Sequence, residues 1–156
     1  MISCSFENGS ETSLRHAVVD SLVLRGDSLL LVKRSPKLVE GGKWALPGGY
    51  VDRDETLVEA AAREVLEETG YQVSGLTLFR IVDTPRRPGD DRQNIAFIYF
   101  GVAGERTGTA DWESSDVQWF PLSALPEERA FAFDHYGNIP LYRDFLARRL
   151  TLPLLG

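Results

Sequence analysis

Gly49–Tyr71, GYVDRDETLVEAAAREVLEETGY, decides how this chain is read. From Thr56 to Thr69 it holds no proline or glycine and is rich in Ala, Leu, Glu and Arg, which predicts a single helix. Gly70 supplies the stop, because a glycine just past a helix takes the left-handed conformation and lets the next residue, Tyr71, fold back onto the last turn. Glu64, Glu67 and Glu68 are spaced by three and four, so at about 100° per residue they share one arc about 100° wide. Val58, Ala62, Val65 and Leu66 cluster on another side, so this stripe is expected to pack while the acidic one stays open. Leu57, Ala60 and Ala61 lie nearer the acidic arc, where the alanines leave room. Like charges at such spacings each cost a few tenths of a kcal/mol, and a hard divalent cation is their natural counterpart. Magnesium takes carboxylate oxygens, waters and substrate phosphates.

Composition narrows the class. A chain of 156 residues with 43% hydrophobic and 26% charged residues reads as one globular domain. No apolar run approaches the roughly 20 residues that span a bilayer, so no membrane partner is expected. The net charge of −6 argues against gripping long nucleic acid, leaving small anionic substrates reached through a metal and local arginines. Cys4 is the single cysteine, so no internal disulfide forms. With no basic and apolar leader at the amino terminus, a reducing, cytoplasmic setting is expected.

Residues 1–15 are polar and without a clean period, and read as a tail or edge element; residues 16–156 read as one domain. Two β-prone runs, AVVDSLVLR and SLLLVKR, flank Gly26-Asp27 and predict a hairpin. Further strands are expected in VSGLTLFRIVD, NIAFIYFGVAG and VQWFPL, the last ended or placed at an edge by Pro121. The loop TPRRPGDDRQ carries three arginines. Apolar spacing at Leu141, Phe145, Leu146 and Leu150 predicts a last helix over 139–150 with Asn138 as its cap. This order suggests an α/β (α+β) fold in which helices cover both faces of a sheet.

The motif says more. Gly49, five residues, Glu55, seven residues, then Arg63-Glu64-Val65-Leu66-Glu67-Glu68-Thr69-Gly70-Tyr71 resembles the Nudix box, and Trp44-Ala45-Leu46-Pro47-Gly48-Gly49 is similar to the family's lead-in. The one departure is Tyr71, where a bulky aliphatic is usual. The resemblance implies an αβα sandwich with a mixed sheet, and hydrolysis of a nucleoside diphosphate linked to another group, with Mg²⁺ or Mn²⁺. It implies Glu67 and Glu68 as metal ligands, Glu64 as ligand or general base, and Glu55 as an outer or additional ligand. Gly48 is counted with the metal-binding residues, since the Gly48-Gly49 loop brings backbone close to the metal. Arg63 orients a glutamate or, alternatively, forms a surface ion pair with Glu67. Members of the family often add a carboxylate from a later loop. Of Asp111, Glu113 and Asp116, Glu113 is the first choice as base or ligand and Asp116 the second, against the alternative of solvated loop acids.

Ala132-Phe133-Asp134-His135 resembles a segment of the ADP-ribose pyrophosphatase-like branch, although Gly137 and Pro140 interrupt the helix usual after it. His135 is therefore a substrate-binding candidate; the alternative is that Asp134 caps a turn and His135 packs. Arg86, Arg87 and Arg92 are candidates to clamp a phosphate or ribose, the alternative being a solvated loop. Phe79, Phe97 and Tyr99 either stack on a base or belong to the core. The expected activity is hydrolysis of ADP-ribose or a related nucleotide sugar. Alternatives are a (d)NTP or oxidised-nucleotide pyrophosphohydrolase and a non-catalytic nucleotide sensor. The expected partners are a small nucleotide and, as in similar pyrophosphatases, a second copy of the chain.

Overall fold

The computed structural model describes residues 2–85 and 93–156. Its centre is the expected hairpin, β3 (Ala17–Arg25) and β4 (Ser28–Arg34), turned at Gly26 with φ +59°. The seven inner residues of β3 are all buried, so this strand has protein on both faces. The two strands pair only beside the turn, at Leu24–Leu29 and Arg25–Ser28, and then separate. The gap is filled on each side: β6 (Gly48–Tyr50) pairs with Val18–Asp20 of β3, while β5 (Trp44–Ala45) and β9 (Ser114–Pro121) pair with β4. Pro121 is the last residue of its strand, as its missing N–H requires.

On the other edge of β3, β8 (Ile95–Arg106) runs parallel from Ala17–Ile95 to Leu24–Val102. It continues antiparallel into β7 (Tyr71–Val82), which takes β10 (Leu154–Leu155) as a parallel edge strand. The result is a mixed eight-stranded sheet. Strand alternation divides its faces. Val18, Leu22, Ala96, Ile98 and Phe79 join Ile139 and Tyr142 of α2 (Asn138–Leu146). Val19, Tyr99, Phe97, Leu76 and Leu78 join Leu57, Ala60 and Ala61 of α1 (Leu57–Thr69). The architecture is the expected αβα sandwich. Phe79 and Tyr99 are core residues, and Phe97 packs with the same cluster as Tyr99.

Three expectations are corrected. Residues 1–15 hold a hairpin, β1 (Ile2–Ser5) with β2 (Glu11–Leu14), whose strands pair with each other and with no strand of the main sheet. The last helix ends at Leu146 instead of Leu150, where Arg148 turns to φ +56°. Asn138 does not cap that helix: its Nδ2 donates to the His135 carbonyl at 3.4 Å, and its Oδ1 accepts from Arg80 at 3.0 Å. Pro140 falls in the first turn of α2, where a missing N–H is tolerated.

The third correction concerns α1. Val58 and Leu66 are exposed, whereas Ala60, Ala61 and Val65 are buried together with Glu68. The helix is rotated so that its alanines lie against the sheet, and their small size lets part of the acidic arc face inward. Among the described residues no helix is long and apolar enough to cross a membrane.

Candidate active site

Helix α1 begins with a capping box: the Thr56 side chain accepts from the Glu59 N–H, and the Glu59 carboxylate accepts from the Thr56 N–H at 2.8 Å. It ends at Gly70, φ +75°, whose N–H reaches the Leu66 carbonyl. Tyr71 packs beside Val65, as the box position requires. Between these stops the helix lies against the Gly48-Gly49 strand. A Cβ on Gly48 would stand 2.1 Å from the Val19 carbonyl oxygen, and one on Gly49 would stand 2.4 Å from Glu64 Oε1. Glycine at both positions is what allows backbone and carboxylates to meet.

Glu68 is the buried member, with 5% of its surface exposed. Its Oε2 accepts from the Gly48 N–H at 3.0 Å. Burial, with the neighbouring charges of Glu64 and Asp111, nevertheless pushes its pKa up to about 8. Glu64 is also raised, chiefly by burial and against the pull of Arg63. Arg63 joins the cluster together. Its Nε and Nη2 form a fork on Glu55 at 3.0 and 2.7 Å, and its Nη1 reaches Glu64 at 2.9 Å and Glu67 at 3.0 Å. Its Nη2 also donates to the Tyr50 carbonyl at 3.0 Å. Both sequence readings of Arg63 are present: it holds the box glutamates and makes the Glu67 pair. The Arg63 hydrogen bonds, with one from the Asp52 N–H, bring the Glu55 pKa down to about 2.

Beside this cluster lies a cavity of about 430 Å³. Glu64, Glu67, Asp111 and Glu113 line its acidic end together with Gly48 and Gly49. Of the three later acids, Glu113 therefore stands where it was expected. Asp116 does not; it accepts from its neighbour Val117 N–H and from Gln118. Asp111, which the sequence offered no reason to favour, also lines the cavity, held there because its N–H donates to the Glu67 carbonyl at 2.9 Å.

His135 lines the cavity too but is buried. Its Nδ1 accepts from the Leu46 N–H at 3.1 Å, which leaves Nε2 toward Asp20 Oδ1 at 3.6 Å. It thus bridges the Trp44–Gly49 lead-in to the later Phe131–His135 segment. Asp134 makes no side-chain cap to the one-turn helix His135–Gly137. Arg86, Arg87 and Arg92 lie outside the described residues. Sequence reasoning missed Asp20, Arg34 and Phe133 in the cavity wall. Asp20 had a signal, being the one acid within an apolar strand, and Phe133 stood in the segment Ala132–His135, where only His135 was singled out as a substrate-binding candidate; Arg34 had none.

The donor set suits a hard divalent cation: the carboxylates on α1 are packed against one another, and burial disfavours the charge on Glu68 unless something positive offsets it. Among the described residues no three acid, histidine or cysteine side chains already converge as a ligand set. Arg63 holds one oxygen each of Glu64 and Glu67, which leaves the second oxygen of each carboxylate for a metal.

Comparison with known proteins agrees with this geometry. The NUDIX domain pattern matches residues 14–142. An ADP-ribose pyrophosphatase of Methanocaldococcus jannaschii is 35% identical over 125 residues, 80% of this chain and 70% of that protein. An NAD-capped RNA hydrolase of Pseudomonas aeruginosa is 36% identical over 67% of this chain, which spans only 36% of that protein. A crystal structure of a NUDIX hydrolase from Nitrosomonas europaea superposes with TM-score 0.79 at 21% identity, covering 99% of this chain and 92% of its own. Box, fold and relatives coincide: the chain belongs to the NUDIX family and is a hydrolase of phosphoric anhydrides.

Proposed function

We propose that this hydrolase cleaves the pyrophosphate linkage of ADP-ribose or a closely related nucleotide sugar. The observation that carries this reading is the form of the cavity: an acidic end at Glu64, Glu67 and Glu113 continues into a wall with Tyr50, Phe133 and Leu38, room for phosphates and for an organic moiety in one space. The Methanocaldococcus relative, named an ADP-ribose pyrophosphatase, supports the substrate. Support for the metal comes from a bifunctional NMN adenylyltransferase/ADP ribose pyrophosphatase of Francisella tularensis, whose structure contains AMP and a Mn ion. It is 25% identical, with TM-score 0.70, over 86% of this chain and 42% of its own.

Glu67 and Glu68, with Glu64, would hold Mg²⁺ or Mn²⁺, which when bound neutralises phosphate oxygens and lowers the pKa of an attacking water. Gly48 fixes the Glu68 carboxylate through its N–H. Glu64 and Glu113 are the proton acceptors within the cavity, and the upward shift at Glu64 brings it nearer to a working base. Arg63 orients Glu55, Glu64 and Glu67 without being needed as a substrate contact.

A panel of ADP-ribose, other nucleotide sugars, dinucleoside polyphosphates and (d)NTPs, each with Mg²⁺ or Mn²⁺, tests the proposal. AMP and ribose 5-phosphate from ADP-ribose at the highest kcat/KM support it. A higher kcat/KM for a triphosphate, released as monophosphate and pyrophosphate, replaces it with the second reading. That reading is favoured by one relative, a putative 8-oxo-dGTP diphosphatase of Bacillus subtilis, 34% identical over 63% of this chain and 60% of its own length.

A further inference from the structure

We infer that Arg34, held against the ring of Phe133, is the cation that receives the substrate's diphosphate, and that Phe133 is its positioning residue. The inference rests on cleavage of a phosphoric anhydride in this cavity and not on which sugar the substrate carries.

Two guanidinium groups, Arg34 and Arg63, line the cavity among the described residues. Arg63 is committed to Glu55, Glu64, Glu67 and the Tyr50 carbonyl. Arg34 is held differently. Its Nε donates to the Val39 carbonyl at 2.9 Å, and its guanidinium carbon lies 5.1 Å from the centre of the Phe133 ring. No hydrogen bond or ion pair among the described residues takes up either Nη. An aromatic ring contacts the guanidinium through its face, which leaves the in-plane N–H donors for another acceptor. Two such donors in a fixed fork match two phosphate oxygens.

The backbone beneath Phe133 shows how firmly this ring is placed. Phe133 has φ +51°, a conformation in which an aromatic residue is an outlier. Such a conformation persists where its surroundings over-determine it, and here they do. The Ala132 N–H donates to the Trp44 carbonyl at 2.8 Å, Phe131 bridges to Trp44, and His135 accepts from Leu46. Pinned on both sides, the residue turns its ring into the cavity under Arg34. Arg34 adds positive charge to a wall that carries Glu64, Glu67, Asp111 and Glu113, beside the metal that the glutamates would hold, and it already acts on the buried Glu68.

The test compares the wild type with Arg34→Met, Arg34→Lys and Phe133→Leu. Binding of inorganic pyrophosphate is read by calorimetry at fixed free magnesium, alongside kcat and KM for the best substrate of the panel. Arg34→Met is expected to weaken pyrophosphate binding and lower kcat/KM by roughly 10- to 100-fold, as for a lost charge-assisted hydrogen bond, with a melting temperature lowered by only about 2–4 °C for the lost bond to Val39. Arg34→Lys should recover part of the pyrophosphate binding. Phe133→Leu should raise KM about 3- to 10-fold with kcat nearly unchanged, the size of a lost cation–π contact. Wild-type pyrophosphate binding in Arg34→Met overturns the assignment, and so does a Phe133→Leu loss confined to kcat. A wild type that prefers triphosphates instead overturns the nucleotide-sugar reading while the Arg34 measurements stand.

Discussion

Glu68 concentrates the conflict between stability and chemistry in one side chain. Its carboxyl is buried and its pKa is raised from 4.5 to about 8, so between those values the folded state holds a proton that the unfolded state has released. Through this group stability falls as pH rises from about 4.5 to about 8. Glu55 acts in the opposite sense: lowered to about 2 by Arg63, it contributes stability present above its ordinary pKa and lost as pH falls toward 2. Melting of the metal-free protein should therefore show a decline from pH 5 to 8 that Glu68→Gln removes. The glutamine keeps an oxygen for the Gly48 N–H and drops the buried charge, so the variant should melt higher than wild type at pH 8 while losing activity. Magnesium should raise the wild-type melting temperature more at pH 8 than at pH 5, because it binds the carboxylate. An equal rise at both values would remove Glu68 from the ligand set. Glu67→Gln should lower turnover by roughly 100-fold or more with melting near wild type, since this half-exposed side chain supplies charge at the site and little packing. Activity close to wild type in that variant would count against Glu67 as a ligand.

At the scale of elements, the site depends on how closely α1 approaches the Gly48-Gly49 strand. The two glycines should respond differently to alanine. At Gly48 the added methyl meets backbone, the Val19 carbonyl at 2.1 Å, and the expected cost is about 1–3 kcal/mol or more, seen as a lower melting temperature. At Gly49 it meets the carboxylate of Glu64 at 2.4 Å, a side-chain end that can swing away. Gly49→Ala should thus retain more stability than Gly48→Ala and lose activity out of proportion to it. The extent of α1 was legible beforehand to within one residue because propensity and stop are local; Thr56, read as its first residue, is its cap. Its rotation was not. Val58 and Leu66 formed the more apolar stripe, yet both are exposed. The sheet accepts the arc that comes closest, and Ala60 and Ala61 permit what bulkier residues would prevent.

Across the whole molecule, the parallel pairing of β3 with β8 and the separation of β3 from β4 create the space in which distant loops meet. The hairpin of β1 and β2 stands outside this plan, and we propose residues 16–156 as the unit that carries the activity. Arg15, just beyond the hairpin, donates to the carbonyls of Asp83, Gln93 and Asn94 and joins the two described ends of the loop between β7 and β8. Removal of residues 1–13, which spares Arg15, should shift melting by less than about 4 °C, the equivalent of roughly 1 kcal/mol in a domain of this size, and should leave kcat/KM unchanged. A large fall in either would make the hairpin part of the working unit.

The sequence by itself determined what short-range geometry controls: one helix read from Thr56 to Thr69 and found one residue shorter, its glutamates at helical spacing, the Gly26 turn and the box that places the chain in its family. Tertiary structure alone decided which loop acids face the cavity. It turned Asp111 and Glu113 inward and Asp116 toward its own strand, engaged His135 with Leu46, and set Phe133 under Arg34. The first group depends on residues a few positions apart, whose relation a helix or turn dictates. The second, Asp116 apart, depends on segments far apart in the chain, 89 residues in the case of Leu46 and His135, whose relation exists only once sheet register and loop packing bring them together.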